Sequence, residues 1–443
     1  MGKRRLGMPR SVKAWSFDAH PDPRLQKLWN LMQVAVGLLP FTGFFPAVGL
    51  LGISGVIWRQ KFRTIVDRPV NRGLAIVSLL MLLSSLLAYR PADAFLGLLN
   101  FLPCFFIFAA LSELIQTPAQ LRRLAWILVL ASLPVVAIGF GQQLLGWGGQ
   151  VEILWFVVDW KIDAGGNPAG RMSSVFFYAT VLAAYLVVTL GLSLGLLLGR
   201  WDEKNLASTG LLGFIFLANA IALVLTNSRN AWAIALLISL AFGIYWGWRW
   251  LAGVVTAAAI AVGGAAFAPV PLRNWLRWIV PAFFWARLTD ELYPDRPVVQ
   301  LRSTQWEFAL SLTQQRPWTG WGLRNFPPLY EAQKQILLGH PHNLPLMLSC
   351  EVGLPATLLF YGLVGWAVVR GTWLLGFWRS FSPSTVDITQ FTLQNQSILF
   401  AYLVAFLGCT LFSLLDIPLF DVRINLLGWL LLAAICGVTY QSE

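Results

Sequence analysis

Long apolar runs separated by short polar segments make up most of the chain. Residues 182–198, LAAYLVVTLGLSLGLLL, form one such run, and it shows no alternation of polar and apolar positions. Continuous runs of about 20 apolar residues are typical of transmembrane helices, whereas the strands of a membrane β-barrel alternate in character. The pattern therefore predicts an all-α, polytopic membrane protein.

The apolar runs predict about twelve transmembrane helices. The run at 28–58 is too long for one span and too short for two full ones, and Pro40, Gly43 and Pro46 interrupt it, so we expect a tight helical pair there. The other predicted spans are 73–88, 92–114, 122–141, 174–198, 209–226, 230–247, 250–268, 344–369, 395–414 and 422–439.

The distribution of Lys and Arg predicts how these helices cross the membrane, because short cytoplasmic loops retain positive residues. It places both termini in the cytoplasm, with a cytoplasmic tail at 1–27. Nine helices follow in 28–268, then a long loop at 269–343 that contains helices and faces the periplasm, then three helices in 344–439. The expected location is the inner (plasma) membrane of a bacterium.

Composition and charge exclude several other classes of protein and of site. The chain of 443 residues is 57% hydrophobic and only 12% charged, far from the average of soluble proteins, which excludes a soluble enzyme. The net charge of +12 is spread between the apolar runs rather than gathered on one module, so we expect no nucleic-acid partner. All four cysteines lie in apolar runs without CxxC spacing, and we expect neither a disulfide nor a zinc site.

The long loop carries the least membrane-like sequence, LRSTQWEFALSLTQQRPWTGWGLRNF at 301–326. Its first half predicts an amphipathic helix that ends at Pro317 and the turn at Gly320 and Gly322. We expect its apolar face to be Leu301, Trp306, Leu310 and Leu312. One interpretation is a helix lying on the membrane surface, with Arg302 in water or on a lipid phosphate.

Two of the three histidines stand in HPHN at 340–343, directly before an apolar run. A metal site is one interpretation, but a histidine pair split by Pro341 is a weak ligand set. General acid or base chemistry is a second, and a cap at a helix start is a third. Because Pro341 turns the chain, we expect the two rings to point in different directions. His342 is then the catalytic candidate, with His340 and Asn343 in support.

Three arginines on the outer side are candidates for anion binding. Arg229 lies between two apolar runs, Arg171 precedes the span at 174–198, and Arg302 begins the amphipathic helix. If they converge near His342, their forked donors suit a diphosphate. The alternative is that each anchors a helix end at the membrane surface.

An ordered set of motifs resembles the O-antigen ligase family of membrane glycosyltransferases. The motifs are SRN (228–230), R-x3-W-x2-A (302–309), RPWTGWG (316–322), HPHN (340–343), E-x-G (351–353), D-x-P-L (416–419) and R-x-N-x3-W (423–429). The resemblance implies a GT-C-like fold. It also implies transfer of a glycan from undecaprenyl diphosphate to an acceptor hydroxyl outside the inner membrane, with inversion and with no metal or other cofactor.

The resemblance also implies roles for individual residues. Arg229 and Arg302 would bind the diphosphate, and His342 would activate the acceptor. Arg171 is a third candidate for the diphosphate, although the sequence after it, GRMSSVFFYAT at 170–180, departs from the Asn-Pro-Asn-like stretch of many relatives. Glu351 and Asp416 are candidates to orient or hold the charged groups.

Two other functions remain open on sequence alone. The first is an O-antigen polymerase, which belongs to the same superfamily. The second is an anion or bicarbonate transport protein, in which the same arginines bind a small anion; the inverted repeats common in transporters are not visible here. The expected partners are a lipid-linked glycan donor, a lipid or glycan acceptor, and membrane lipids.

Overall fold

The computed structural model describes residues 19–154, 158–199, 206–289, 301–380 and 386–441. Residues 1–18 of the predicted tail and 290–300 of the predicted long loop lie outside these ranges. The helices of the described part are α1 (Gln26–Leu38), α2 (Phe44–Asp67), α3 (Pro69–Leu86), α4 (Pro91–Leu98), α5 (Leu102–Leu114), α6 (Pro118–Leu144), α7 (Ala179–Gly199), α8 (Leu206–Leu225), α9 (Arg229–Tyr245), α10 (Arg249–Phe267), α11 (Leu272–Ile279), α12 (Ala282–Leu288), α13 (Arg302–Gln315), α14 (Phe326–Lys334), α15 (Leu344–Ser380), α16 (Val386–Phe412) and α17 (Val422–Gln441).

The predicted all-α membrane fold is confirmed, and every predicted span overlaps a helix. In the described ranges, nine helical segments are long and apolar enough to cross a membrane. The predicted number of about twelve is not confirmed. The helix α1 has only 13 residues, α9 has 17, and the second half of α2 carries charges at Arg59, Lys61 and Arg63.

The centre of the bundle is formed by α7 and α17. About 83% of each span is buried inside the protein, whereas α10 is only 11% buried and lies at the periphery. The helix α7 packs against α6, α8 and α16, and α17 packs against α5. One polar contact within this core joins α8 to α6, where Asn219 Nδ2 donates to Ser132 Oγ at 2.9 Å.

A small β-hairpin lies between α6 and α7 and was not predicted. Strands β1 (Gly149–Ile153) and β2 (Val158–Ile162) pair antiparallel, with Gly149 opposite Ile162. Trp160 joins the hairpin to the turn after α1, where its Nε1 donates to the Phe41 carbonyl at 2.6 Å. Strands of five mostly exposed residues leave little hydrophobic pattern in a sequence.

The helix predicted after residue 300 is present as α13. Leu312 is buried as predicted, but Leu310 is exposed, and the buried face also includes Phe308 and Ala309. Packing against α15 selects this face. The helix with an exposed tryptophan face is instead α11, where Trp275 and Trp278 are 73% and 90% exposed. Such a face is typical of helices at a membrane interface.

Candidate active site

The HPHN sequence forms the turn that leads into α15. Asn343 caps this helix, since its Oδ1 accepts the N–H of Leu346 at 2.9 Å. The Nδ2 of Asn343 donates to the Leu414 carbonyl at 3.0 Å, and the N–H of Leu344 donates to the Ser413 carbonyl at 2.9 Å. The cap is therefore Asn343 rather than either histidine, and these bonds bring the turn against the segment that follows α16.

The segment after α16 presents Asp416 to His342. The distance from His342 Nδ1 to Asp416 Oδ1 is 3.1 Å, and the N–H of Ile417 donates to the same oxygen at 2.9 Å. Burial alone would raise the pKa of Asp416, but the hydrogen bond and the charge of His342 outweigh it and lower the pKa below its ordinary value. Asp416 is thus an ionised acceptor, and His342 donates to it through Nδ1–H.

His340 lies against His342 rather than pointing away from it. The two ring centroids are 4.4 Å apart in an edge-to-face arrangement. The prediction of two different directions was wrong because His342 adopts a left-handed backbone conformation, with φ +52°, and its N–H donates to His340 Nδ1 at 3.2 Å. Burial lowers the pKa of His340 to about 4, and the charges of His342 and Arg302 act in the same direction.

His340, His342 and Asp416 form one compact cluster, and all three side chains are partly exposed. Single donor atoms of His340, His342 and Asp416 all lie within 4.8 Å of one another. The side chains of His342 and Asp416 are 32% and 17% exposed, so a substrate has access to the pair. Sequence reasoning named the three residues separately but did not predict that they form a group.

The helix α13 brings Arg302 to this cluster. Trp306 Nε1 donates to the Pro341 carbonyl at 3.0 Å, which fixes α13 against the HPHN turn. Arg302 lies one helical turn before Trp306, on the same face of α13. The charge of Arg302 contributes to lowering the pKa of His340, so the guanidinium acts on this histidine electrostatically.

Arg229 and Arg171 lie on the neighbouring elements. Arg229 is the first residue of α9, and the next residue, Asn230, donates through Nδ2 to the Phe412 carbonyl at the end of α16. Arg171 Nε donates to the Thr226 carbonyl at 2.9 Å, on the turn before α9. The ends of α8 and α16 and the starts of α9, α15 and α17 thus form one face of the bundle, which we call the site end.

Glu351 holds the loop that carries α14, a structural role that sequence alone did not indicate. Its side chain is buried, and Oε1 accepts the N–H of Phe326 at 3.2 Å. Its carbonyl accepts the N–H of Gly322 at 2.7 Å. Gly353 kinks α15 beside this loop with φ +82°, and a Cβ there would lie 2.5 Å from the Trp318 carbonyl oxygen. The E-x-G and RPWTGWG motifs therefore interlock.

An apolar cavity of about 90 Å³ runs between α15, α16 and α17. At the site end it is lined by Leu344, Ser413 and Pro418, which are close neighbours of His342 and Asp416 in the chain. Deeper in the bundle it is lined by Phe406 and Leu432. The cavity thus connects the apolar interior with the segment that carries Asp416.

Comparison with known families identifies the central part of the chain. Residues 212–361 match the family model described as O-antigen ligase. The chain carries an O-antigen ligase domain. The matched residues include Arg229, Arg302 and His342, whereas Asp416 and Arg171 lie outside them. No curated protein matches the chain closely enough to be counted as a relative.

The match to this family model supports the predicted O-antigen ligase family over residues 212–361 of the chain. The domain includes α13 and α14 and ends inside α15, so its elements carry both the HPHN turn and the interlocked loop.

Proposed function

We propose that this protein is an O-antigen ligase-like transferase that moves a glycan from undecaprenyl diphosphate to an acceptor hydroxyl. The reaction takes place on the periplasmic side of the bacterial inner membrane. The observation that carries this proposal is the His342–Asp416 pair beside Arg302, at the site end of an apolar bundle that contains an O-antigen ligase domain. Donor and acceptor are both lipid-linked or large, and both reach a site at a membrane surface.

The His342–Asp416 pair suits removal of a proton from the acceptor. Asp416 accepts Nδ1–H of the neutral ring, so the lone pair of Nε2 is left to take the proton of the acceptor hydroxyl. The hydroxyl oxygen then forms a bond to the anomeric carbon as the bond from that carbon to the phosphate oxygen breaks. Attack from the opposite face inverts the configuration, and the bonding electrons leave with the diphosphate.

The arginines suit the departing diphosphate. It is already a good leaving group, so its negative charge needs stabilisation rather than a proton. Arg302 and Arg229 bind it through their planar forks, and Arg171 is a third candidate beside the start of α9. Fixed guanidinium groups do this without a metal ion, so we expect transfer to be metal-independent.

The apolar cavity supports a lipid-linked donor. It ends beside Ser413 and Pro418, three and two residues from Asp416, so the part of an isoprenoid chain next to the diphosphate, lying in it, would hold the diphosphate near the histidines. Its apolar lining matches such a chain. A GT-C-like arrangement, with the carrier in the membrane and the chemistry at the surface, is part of this proposal.

The experiment is an analysis of the carrier-linked glycans in cells that lack the protein. We expect long polymers to accumulate on undecaprenyl diphosphate, and wild-type protein but not His342→Ala to reverse this. Accumulation of single repeat units instead would identify a polymerase. An unchanged glycan pool together with impaired uptake of bicarbonate or another anion would contradict transfer and identify the transport function.

A further inference from the structure

The cluster of His340, His342 and Asp416 has the composition of a metal site. We propose that these three side chains bind a divalent transition metal of the Zn²⁺ class, and that a bound ion stops the transfer reaction. The inhibition rests on the proposed function, whereas the binding does not. Two imidazoles and one carboxylate are ligands that Zn²⁺ accepts, and three protein ligands leave a fourth position to water.

The distances within the cluster fit this ion. Two ligand atoms at 2.0–2.1 Å from a tetrahedral Zn²⁺ lie about 3.3 Å apart. His342 Nδ1 and Asp416 Oδ1 are 3.1 Å apart, so the ion fits between them with little movement. One ring nitrogen of His340 lies within 4.8 Å of one ligand atom of each of the other two side chains, so it must approach by about 1.5 Å at most. A ring rotation and a small shift of the turn achieve this.

The charges around the cluster set a moderate affinity. The carboxylate of Asp416 attracts the ion, and Ile417 N–H holds that carboxylate in place. The guanidinium of Arg302 acts on His340 and repels a cation from the same place. Removing the charge of Arg302 should therefore tighten metal binding, whereas removing a ligand should weaken it.

A metal on Nδ1 changes the tautomer of His342. A neutral imidazole has one ring proton, and coordination through Nδ1 puts that proton on Nε2. Nε2 is then a donor and has no lone pair for the proton of the acceptor hydroxyl. The ion thus removes the base without oxidation or any covalent step, and a chelator that withdraws the ion restores it.

The binding test uses the purified full-length protein in detergent and Co²⁺ as a coloured probe for the Zn²⁺ site. We expect one Co²⁺ per chain, with the visible absorption band of a four-coordinate ion. The band should disappear when Zn²⁺ is added and replaces Co²⁺. His340→Ala and Asp416→Asn each remove a ligand, so they should weaken binding by more than the ~10- to 100-fold that loss of an outer-shell partner costs, and Arg302→Gln should strengthen it. His20→Ala removes the third histidine, outside the cluster, and should change nothing.

Three results would overturn the proposal or a part of it. Equal Co²⁺ binding by wild-type protein and both cluster variants would exclude this site, provided the variants elute as folded protein. Absence of saturable binding would do the same. Unchanged transfer with the site filled by Zn²⁺ would overturn the inhibition alone. Failure of the proposed function is distinguishable, because the protein would then bind Co²⁺ but show no transfer with or without EDTA.

Discussion

At the residue scale, the two histidines of the HPHN turn differ in their surroundings. His340 stacks on Phe420 with ring centroids 5.7 Å apart, and burial lowers its pKa to about 4. His342 faces Asp416 and the surface. The low pKa of His340 has a consequence for stability in mild acid that can be measured.

The depressed pKa of His340 predicts a pH dependence of stability. In the unfolded chain a histidine binds a proton below about pH 6.5, whereas the folded protein keeps His340 neutral down to about pH 4. The unfolded state therefore binds more protons in this window, and the stability present above pH 6.5 is lost as the pH falls toward 4. We expect His340→Gln to reduce the fall in melting temperature between pH 7 and pH 5.

The control for this measurement is His20→Gln, which removes a histidine that bonds to the Leu114 carbonyl, far from the cluster. Parallel curves for wild-type protein and His340→Gln would show that the pKa of His340 is the same in the folded and the unfolded protein. The account of the HPHN turn would then be wrong.

Arg302 provides a second prediction at this scale. If it binds a diphosphate through its planar fork, Arg302→Lys should lose transfer nearly as completely as Arg302→Ala, because an ammonium keeps the charge but not the paired donors. A lysine anchors a helix at a membrane surface as well as an arginine does. Wild-type transfer rates by inserted, folded Arg302→Lys protein would therefore favour the anchoring interpretation.

The sequence predicts the individual site residues better than their arrangement. HPHN, Arg302 and Asp416 stand out because they are polar residues next to long apolar runs. The contact between His342 and Asp416 joins residues 74 positions apart. It depends on hydrogen bonds between the start of α15 and the segment after α16, and on a positive φ at His342, which no local pattern reveals.

At the element scale, the apolar runs predict the helices well because each long helix needs a continuous apolar surface in lipid. Shorter elements were missed. The hairpin strands at 149–153 and 158–162 have mostly exposed residues, and the amphipathic α11 is only eight residues long. The interlock of Gly353 with the loop before α14 was also missed, since it depends on tertiary contacts rather than on propensity.

The kink of α15 at Gly353 predicts that this glycine cannot be replaced without loss of stability. Gly353→Ala adds a Cβ about 2.5 Å from the Trp318 carbonyl oxygen and requires an alanine at φ +82°. We expect a destabilisation of about 1–3 kcal/mol or more, seen as a lower melting temperature, together with loss of transfer. Gly362→Ala is the matched control, because a Cβ at this position of the same helix meets nothing within 4 Å. Equal melting temperatures for the two variants would contradict the interlock.

At the scale of the whole molecule, the bundle brings residues from distant parts of the chain to one face. Arg229, Arg302 and His342 come from α9, α13 and the turn before α15, and Asp416 follows α16. The apolar cavity ends at the same face. The proposed function assigns SRN and HPHN to one site, whereas Glu351 and Gly353 of the E-x-G motif contact the loop before α14.

The most direct test of transfer chemistry is a single-turnover assay with purified protein and a lipid-linked glycan donor. The account predicts that His342→Ala forms no acceptor-linked product while it still binds the donor, because His342 serves the acceptor rather than the diphosphate. His20→Ala should transfer at the wild-type rate. Transfer by folded His342→Ala at the wild-type rate would contradict the assignment of the base and, with it, the central claim.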